Sequence, residues 1–185
     1  MGSGVALVAV IAALASSAAP AGVARTQLVG CAQAVYGPLG TWRTAPNAVV
    51  AGPVGWPYLL TPPPSHAVYG PHEGLALFAK ALLAIEPGRT ATIRIPANER
   101  SRLSLYYRKT FDPRRQWHGA GLFRVSDGSA EITFEACPRG PGSEWTQFAG
   151  GFLVRGAQCG VVEVKARGSA RWLRRRIPFG KRTCG

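Results

Sequence analysis

Three histidines are the residues of this sequence best suited to acid–base or metal chemistry. His66, His72 and Glu73 lie within eight residues of one another, and His118 follows a basic, aromatic stretch. An imidazole beside a carboxylate could bind a metal ion or transfer a proton. However, the sequence has no nucleophile elbow, His-Glu-x-x-His helix, phosphate loop or dinucleotide fingerprint. An extracytoplasmic hydrolase using one of these histidines is therefore our second hypothesis, and polar loop residues are the simpler interpretation.

Two glutamates, Glu131 and Glu135, share one face of a predicted strand. Four positions along a strand separate their carboxylates by ~13 Å. Glycosidases hold their paired carboxyl groups about 5–9.5 Å apart, so this pair does not fit that chemistry. A copper carrier is also disfavoured, because Met1 is the only methionine. We predict no catalytic residue, no metal and no cofactor.

Four cysteines at positions 31, 137, 159 and 184 predict two disulfides in an exported domain. A zinc site is disfavoured because no two cysteines are close enough for a Cys-x-x-Cys pair. Of the three possible pairings we prefer Cys137–Cys159 with Cys31–Cys184, although the spacing does not decide between them. The first would close a loop of about 20 residues, worth ~3 kcal/mol, and the second would join the chain ends.

The chain carries 22 Lys and Arg against 9 Asp and Glu, a formal net charge of +13. One basic cluster surrounds Arg108 and Arg115, and a denser one lies near the C-terminus. The dense cluster contains Lys165, Arg167, Arg171, Arg174, Arg175, Arg176, Lys181 and Arg182. Beside Trp172 these cations could bind a polyanion. The alternative is a solvated basic face that reflects the arginine-rich composition.

The N-terminus predicts export. Residues 5–15 are apolar, and the residues that follow are small and uncharged up to Arg25. This pattern is typical of a signal peptide cleaved after Ala24 or after Ala21. Residues 4–24 are also about long enough for an uncleaved membrane anchor. We therefore assign residues 1–24 to a signal peptide or anchor. A lipid-carrying Cys31 is disfavoured, because Arg25 interrupts the apolar approach to it.

Residues 25–185 predict a single β-rich domain. The whole chain is 46% hydrophobic and contains 23 glycines and 15 prolines, too many chain breakers for a helical bundle. Residues 52–72 contain six prolines, which lack a backbone N–H donor and have a restricted φ. We expect an extended surface segment there, with no central strand.

Alternating polar and apolar residues predict short strands from Phe78 onward. Residues 78–85 and 90–96 flank a Glu86–Arg89 turn with Pro at its second position and Gly at its third, which predicts a hairpin. Further strands are predicted at 103–108, 122–125, 130–137 and 146–154. The last is interrupted by Gly150-Gly151, which indicates a bulge or a close backbone approach.

The last predicted hairpin joins Val161–Arg167 to Arg171–Phe179 through a Gly168-Ser169 turn. Alternation places Val162, Val164, Ala166, Leu173, Ile177 and Phe179 inward and Glu163, Lys165, Arg167, Trp172, Arg174 and Arg176 outward. Glu163 would then face Arg174 in an ion pair, and Lys165 would face Trp172 in a cation–π contact. Arg175 falls on the apolar face, where it needs a partner, a bulge or the sheet margin.

These elements predict an all-β chain, a single antiparallel β-sandwich of immunoglobulin-like or jelly-roll type. Several segments carry a family resemblance: Tyr36–Leu39, Ala84–Gly88, Phe134–Pro138, Phe148–Phe152 and Pro178–Gly180 before Cys184. In this order they resemble a group of small exported proteins of actinobacterial type. The resemblance implies an exported, disulfide-bonded β-sandwich and implies no activity.

We expect a non-enzymatic module of the cell envelope that binds a polyanion through the outer face of the last hairpin. The contact residues would be Lys165, Arg171, Trp172, Arg174, Arg175 and Arg176. The partner would be an anionic envelope polymer or a lipid surface. Nucleic acid is not expected, because the leader directs the chain out of the cytoplasm and no nucleic-acid-binding motif occurs. A membrane-tethered accessory protein remains a third possibility.

Overall fold

The structure is a computed structural model that describes residues 1, 27–44, 46, 48–57, 59, 75–107, 123–138, 145–180 and 183–184. Within these ranges the chain forms thirteen strands: β1 (Gln27–Val29), β2 (Ala34–Val35), β3 (Val49–Ala51), β4 (Val54–Trp56), β5 (Leu77–Lys80), β6 (Leu83–Ile85), β7 (Thr90–Arg94), β8 (Leu103–Tyr106), β9 (Glu131–Glu135), β10 (Thr146–Phe148), β11 (Gly151–Val154), β12 (Gln158–Ala166) and β13 (Leu173–Phe179). Helical structure there is limited to short 3-10 turns such as Trp42–Thr44. The predicted leader over residues 1–24 lies, apart from Met1, outside the described residues.

The strands form three sheets that share one hydrophobic core. The first sheet has the order β1-β9-β7-β12-β13, the second β2-β10-β6-β4-β3, and the third β5-β11-β8. Fully buried side chains from all three sheets meet in this core, including Ile93 and Phe134 of the first, Ile85 of the second and Phe152 of the third. The predicted all-β sandwich is confirmed, and its core follows the expected alternation of apolar residues.

The break at Gly150-Gly151 is confirmed, and it moves the chain from one sheet to another. β10 belongs to the second sheet and β11 to the third. At the junction Ala81 N donates a hydrogen bond to Gly150 O at 2.8 Å. A Cβ atom at position 151 would overlap the carbonyl oxygen of Ala79, so only glycine permits this backbone approach.

The predicted hairpin of 78–85 with 90–96 is wrong, although its turn exists. Arg89 N donates to Glu86 O at 3.1 Å, and Gly88 has a φ of 69°. β6 pairs with β4 and β10, whereas β7 pairs with β9 and β12. The turn therefore carries the chain across the sandwich between its two layers. The predicted strand at 122–125 is reduced to an isolated bridge at Phe123, followed by a 3-10 turn.

The start of the 52–72 segment also differs from the prediction. β4 is a buried strand between β3 and β6. Pro53 precedes this strand and Pro57 follows it, so neither proline removes a donor from within it. Residues 60–72 lie outside the described part of the chain.

The predicted disulfide pairing is wrong. Cys31 is bonded to Cys137 and Cys159 to Cys184, with Cα–Cα distances of 4.8 and 5.7 Å. β1 and β9 are parallel neighbours, with Val29 beside Phe134, so the two strands bring Cys31 and Cys137 out at the same end. The preferred pairs Cys137–Cys159 and Cys31–Cys184 rested on a short loop and on joining the chain ends, and did not anticipate this parallel pair of strands.

Candidate functional site

The outward face of the last hairpin is built by a regular antiparallel register. β12 and β13 pair from Gln158 opposite Phe179 to Val164 opposite Leu173. Val162, Val164 and Ile177 are fully buried on the inward side, as predicted. The alternation of a strand then places Glu163, Lys165, Trp172, Arg174 and Arg176 on the outward side.

Trp172 lies at the centre of a cation–π cluster on this face. The Nζ atom of Lys165 lies 4.8 Å from the centroid of the Trp172 ring, which confirms the predicted contact. The guanidinium carbon of Arg94, from the neighbouring strand β7, is closer still at 3.7 Å. These two cations contact the ring, and the ring in turn restricts their side chains. Trp172 therefore serves to position these two cations more than to offer an open ring on which a ligand could stack.

Glu163 neutralises part of this cluster. It stands opposite Arg174 in the register, as predicted, but its carboxylate accepts a hydrogen bond from Arg94 Nε at 2.8 Å. Arg94 could not be placed beside Trp172 from the sequence, because the register of β7 against β12 depends on which strands become neighbours. The sequence feature that could have indicated Arg94 is its outward position in an alternating strand.

Arg175 does not belong to the outward face. It stands opposite Val162 on the core-facing side of β13, at the edge of the sheet. Its Nε donates to the carbonyl oxygen of Val50 at 2.6 Å, and its Nη1 donates to Arg174 O at 2.9 Å. Val50 is on β3, the edge strand of the second sheet. Arg175 thus joins the two layers while its side chain stays exposed, and its role as a polyanion contact stays a prediction.

On the outward face, the other basic side chains are concentrated at one edge of the first sheet. Arg171, Arg174 and Arg176 are exposed. Two strands beyond β12, Glu131 and Glu135 occupy outward positions on β9. Charge therefore changes sign across the face, from acidic at β9 to basic at β13. An anionic partner would be attracted to the hairpin edge and repelled from the other half.

Other sequence candidates lie outside the described residues. These are His66, His72, His118, Arg108, Arg115, Lys181 and Arg182. Among the residues that the structure describes, no three or more His, Cys, Asp or Glu side chains are grouped as a metal site would require. The same residues include no helix with the length and apolar character needed to cross a bilayer.

The fold and the cysteines together define the class of protein: an all-β sandwich with two disulfides. Two disulfides indicate an oxidising, extracytoplasmic environment. Comparison with protein-family models, curated proteins and solved structures finds no match. The chemistry of the chain's own surfaces therefore carries the functional argument.

Proposed function

We propose that this protein is an exported, non-enzymatic β-sandwich of the cell envelope that binds an anionic polymer along the outward face of the last hairpin. The proposal depends on one observation: two exposed arginines, Arg174 and Arg176, lie on the edge strand β13, and a third, Arg171, lies just before it beside the Trp172 cluster. The N-terminal leader and the resemblance to small exported proteins support the export part of the proposal. Sequencing the N-terminus of the exported product tests whether residues 1–24 are removed.

The geometry suits a linear polyanion. Alternate residues of a strand are ~7 Å apart, so Arg174 and Arg176 present a row of charges rather than a point. Trp172 restricts Lys165 beside this row, which lowers the entropy lost when Lys165 contacts a ligand. A polymer with charges along its length can contact several of these groups at once.

A polymer fits this surface better than a lipid bilayer does. Interfacial binding combines basic residues with exposed apolar side chains that enter the headgroup region. In the described ranges, the exposed large hydrophobic residues are Met1, Leu28, Val35 and Tyr36, and none of them belongs to the last hairpin. Leu28 lies on β1, at the opposite edge of the same sheet.

Salt-gradient retention on immobilised polyphosphate and heparin tests the proposal. We expect the triple variant Arg171→Gln, Arg174→Gln, Arg176→Gln to elute at a lower salt concentration. Each lost arginine should also reduce the slope of log affinity against log salt by roughly one unit, because fewer counterions are released on binding.

Arg175→Gln is the matched control, because it removes one arginine from the same strand but not from the outward face. We expect it to change retention far less than Arg174→Gln does. Equal losses from both variants would show that net charge alone governs retention, and the site would be rejected. Retention on anionic vesicles but not on either polymer would assign the face to a lipid surface instead.

A further inference from the structure

A second basic feature lies at one end of the sandwich, separate from the outward face of the last hairpin. Three chain reversals meet there: the β3–β4 turn, the Glu86–Arg89 turn and the start of the β12–β13 turn. They enclose an open cleft of about 500 Å³. Its charged lining residues are Arg43, Glu86, Arg89 and Arg167. We call it the turn-end cleft.

The turn-end cleft is lined by three arginines against one carboxylate. Glu86 lies between two of the arginines, with its Oε1 2.7 Å from Arg43 Nη1 and its Oε2 3.8 Å from Arg89 Nε. The third, Arg167, has no acidic partner within 4.0 Å among the described residues. The lining therefore retains two positive charges that Glu86 does not neutralise.

Hydrogen bonds hold the Arg43 side chain and the backbone of the surrounding turns in place. Arg43 Nη2 donates to Gly52 O at 3.0 Å, and its guanidinium carbon lies 5.2 Å from the centroid of the Trp145 ring. Glu86 N donates to Pro53 O at 3.0 Å, and Arg167 N donates to Thr90 O at 2.8 Å. These fixed turns keep Arg89 and Arg167 at the cleft, where both side chains are exposed to solvent.

We propose that the turn-end cleft binds a phosphate monoester dianion, with Arg89 and Arg167 as its contact residues and Glu86 as the internal counter-ion that positions Arg43 and Arg89. Guanidinium groups match tetrahedral oxyanions through paired hydrogen bonds. The two unneutralised positive charges match the two negative charges of the ligand. The inference goes beyond the proposed function, because the cleft lies outside the outward face and takes a single end group instead of a polymer backbone.

Titration of the full chain with inorganic phosphate at pH 8, followed by calorimetry and by arginine side-chain NMR, tests the inference. We expect saturable binding with shifts confined to the arginines of the cleft. Arg167→Gln and Arg89→Gln should each weaken binding about 10-fold, the usual effect of losing one charge-assisted hydrogen bond. Acetate, a monoanion, should bind more weakly than phosphate.

Arg174→Gln is the control, because it lies on the outward face of β13. It should leave phosphate binding unchanged while it reduces retention on polyphosphate. The cleft is overturned as a phosphate site if phosphate does not saturate, or if both cleft variants bind as tightly as the wild type. Equal affinity for acetate and phosphate would overturn the assignment to a dianion. These results are independent of polymer retention, so failure of one proposal does not imply failure of the other.

Discussion

Tyr107 is a polar residue at the centre of an apolar core, and its hydroxyl group connects two parts of that core. The hydroxyl donates to Ala81 O at 2.8 Å and accepts from Trp56 Nε1 at 3.1 Å. Tyr107 is only 1% exposed, so water cannot replace either partner. Burial raises the pKa of the Tyr107 phenol well above its usual value of 10.0.

We predict that Tyr107 makes the fold sensitive to alkaline pH. The folded protein keeps this phenol protonated, whereas the unfolded chain releases the proton near pH 10. The contribution of Tyr107 to the free energy of unfolding is therefore constant below pH 10. Above pH 10 it falls by about 1.4 kcal/mol per pH unit. Tyr107→Phe should be less stable at pH 7 by about 2 kcal/mol, because Ala81 O and Trp56 Nε1 lose their partner.

Urea unfolding of both proteins between pH 8 and pH 11.5 measures this effect. The stability difference between wild type and Tyr107→Phe should shrink as the pH rises above 10. A difference that stays constant up to pH 11.5 would contradict the prediction. Tyr36→Phe is the control at pH 7, because Tyr36 is exposed and its loss leaves no buried group unpaired.

At the scale of secondary structure, the chain passes between the second and third sheets at two places, and it bends at each of them. β5 is followed by β6 and β10 by β11, and in each case the two strands belong to different sheets. The two bends contact each other, since Ala81 N donates to Gly150 O. The lack of a side chain at Gly151 lets the Ala79 carbonyl approach. These bends let both sheets pack on the same core.

We predict that Gly151→Ala destabilises the fold by about 3 kcal/mol, because a methyl group would collide with backbone that no rotamer change can move. Gly37→Ala is the matched control. A Cβ atom there would meet only Gln147 Oε1 at 3.8 Å, an ordinary contact, so its effect should stay within about 0.5 kcal/mol. Chemical denaturation of both variants measures the difference, and equal stabilities would refute the close approach.

For the whole molecule, the two disulfides restrain the chain on very different scales. Cys31–Cys137 joins residues 106 positions apart, and Cys159–Cys184 joins residues 25 positions apart. The longer loop removes more entropy from the unfolded chain. The first bond fixes the N-terminal strand to the first sheet, and the second ties the C-terminal residues back to β12.

We predict that Cys31→Ala with Cys137→Ala costs about 5 kcal/mol, and Cys159→Ala with Cys184→Ala about 3.5 kcal/mol, in the chain-entropy model. Guanidinium unfolding of each double variant measures the two values. A larger loss from the C-terminal pair would show that native contacts near Cys159, not loop length, dominate the stabilisation.

Several features could be predicted from the sequence because they depend on neighbouring residues alone. Alternation in Val161–Phe179 determined which side chains face the core, and the predicted register brought Lys165 to Trp172. The predicted Gly168-Ser169 turn itself is wrong: Ser169 N donates to Ala166 O at 3.0 Å, so Arg167 and Gly168 are the central residues of the turn. The glycine pair at 150–151 marked the break between strands. The Glu86–Arg89 turn follows from its Pro and Gly, which adopt the required φ values at little cost.

Only the tertiary structure decided which strands become neighbours, because alternation is the same whichever partner a strand has. That choice set the disulfide pairing, converted the expected Glu86–Arg89 hairpin into a connection between layers, and placed Arg94 against Trp172. It also brought Arg43, Arg89 and Arg167, which are far apart in sequence, to the same cleft. Long-range pairing is chosen by total core burial, which no local segment determines.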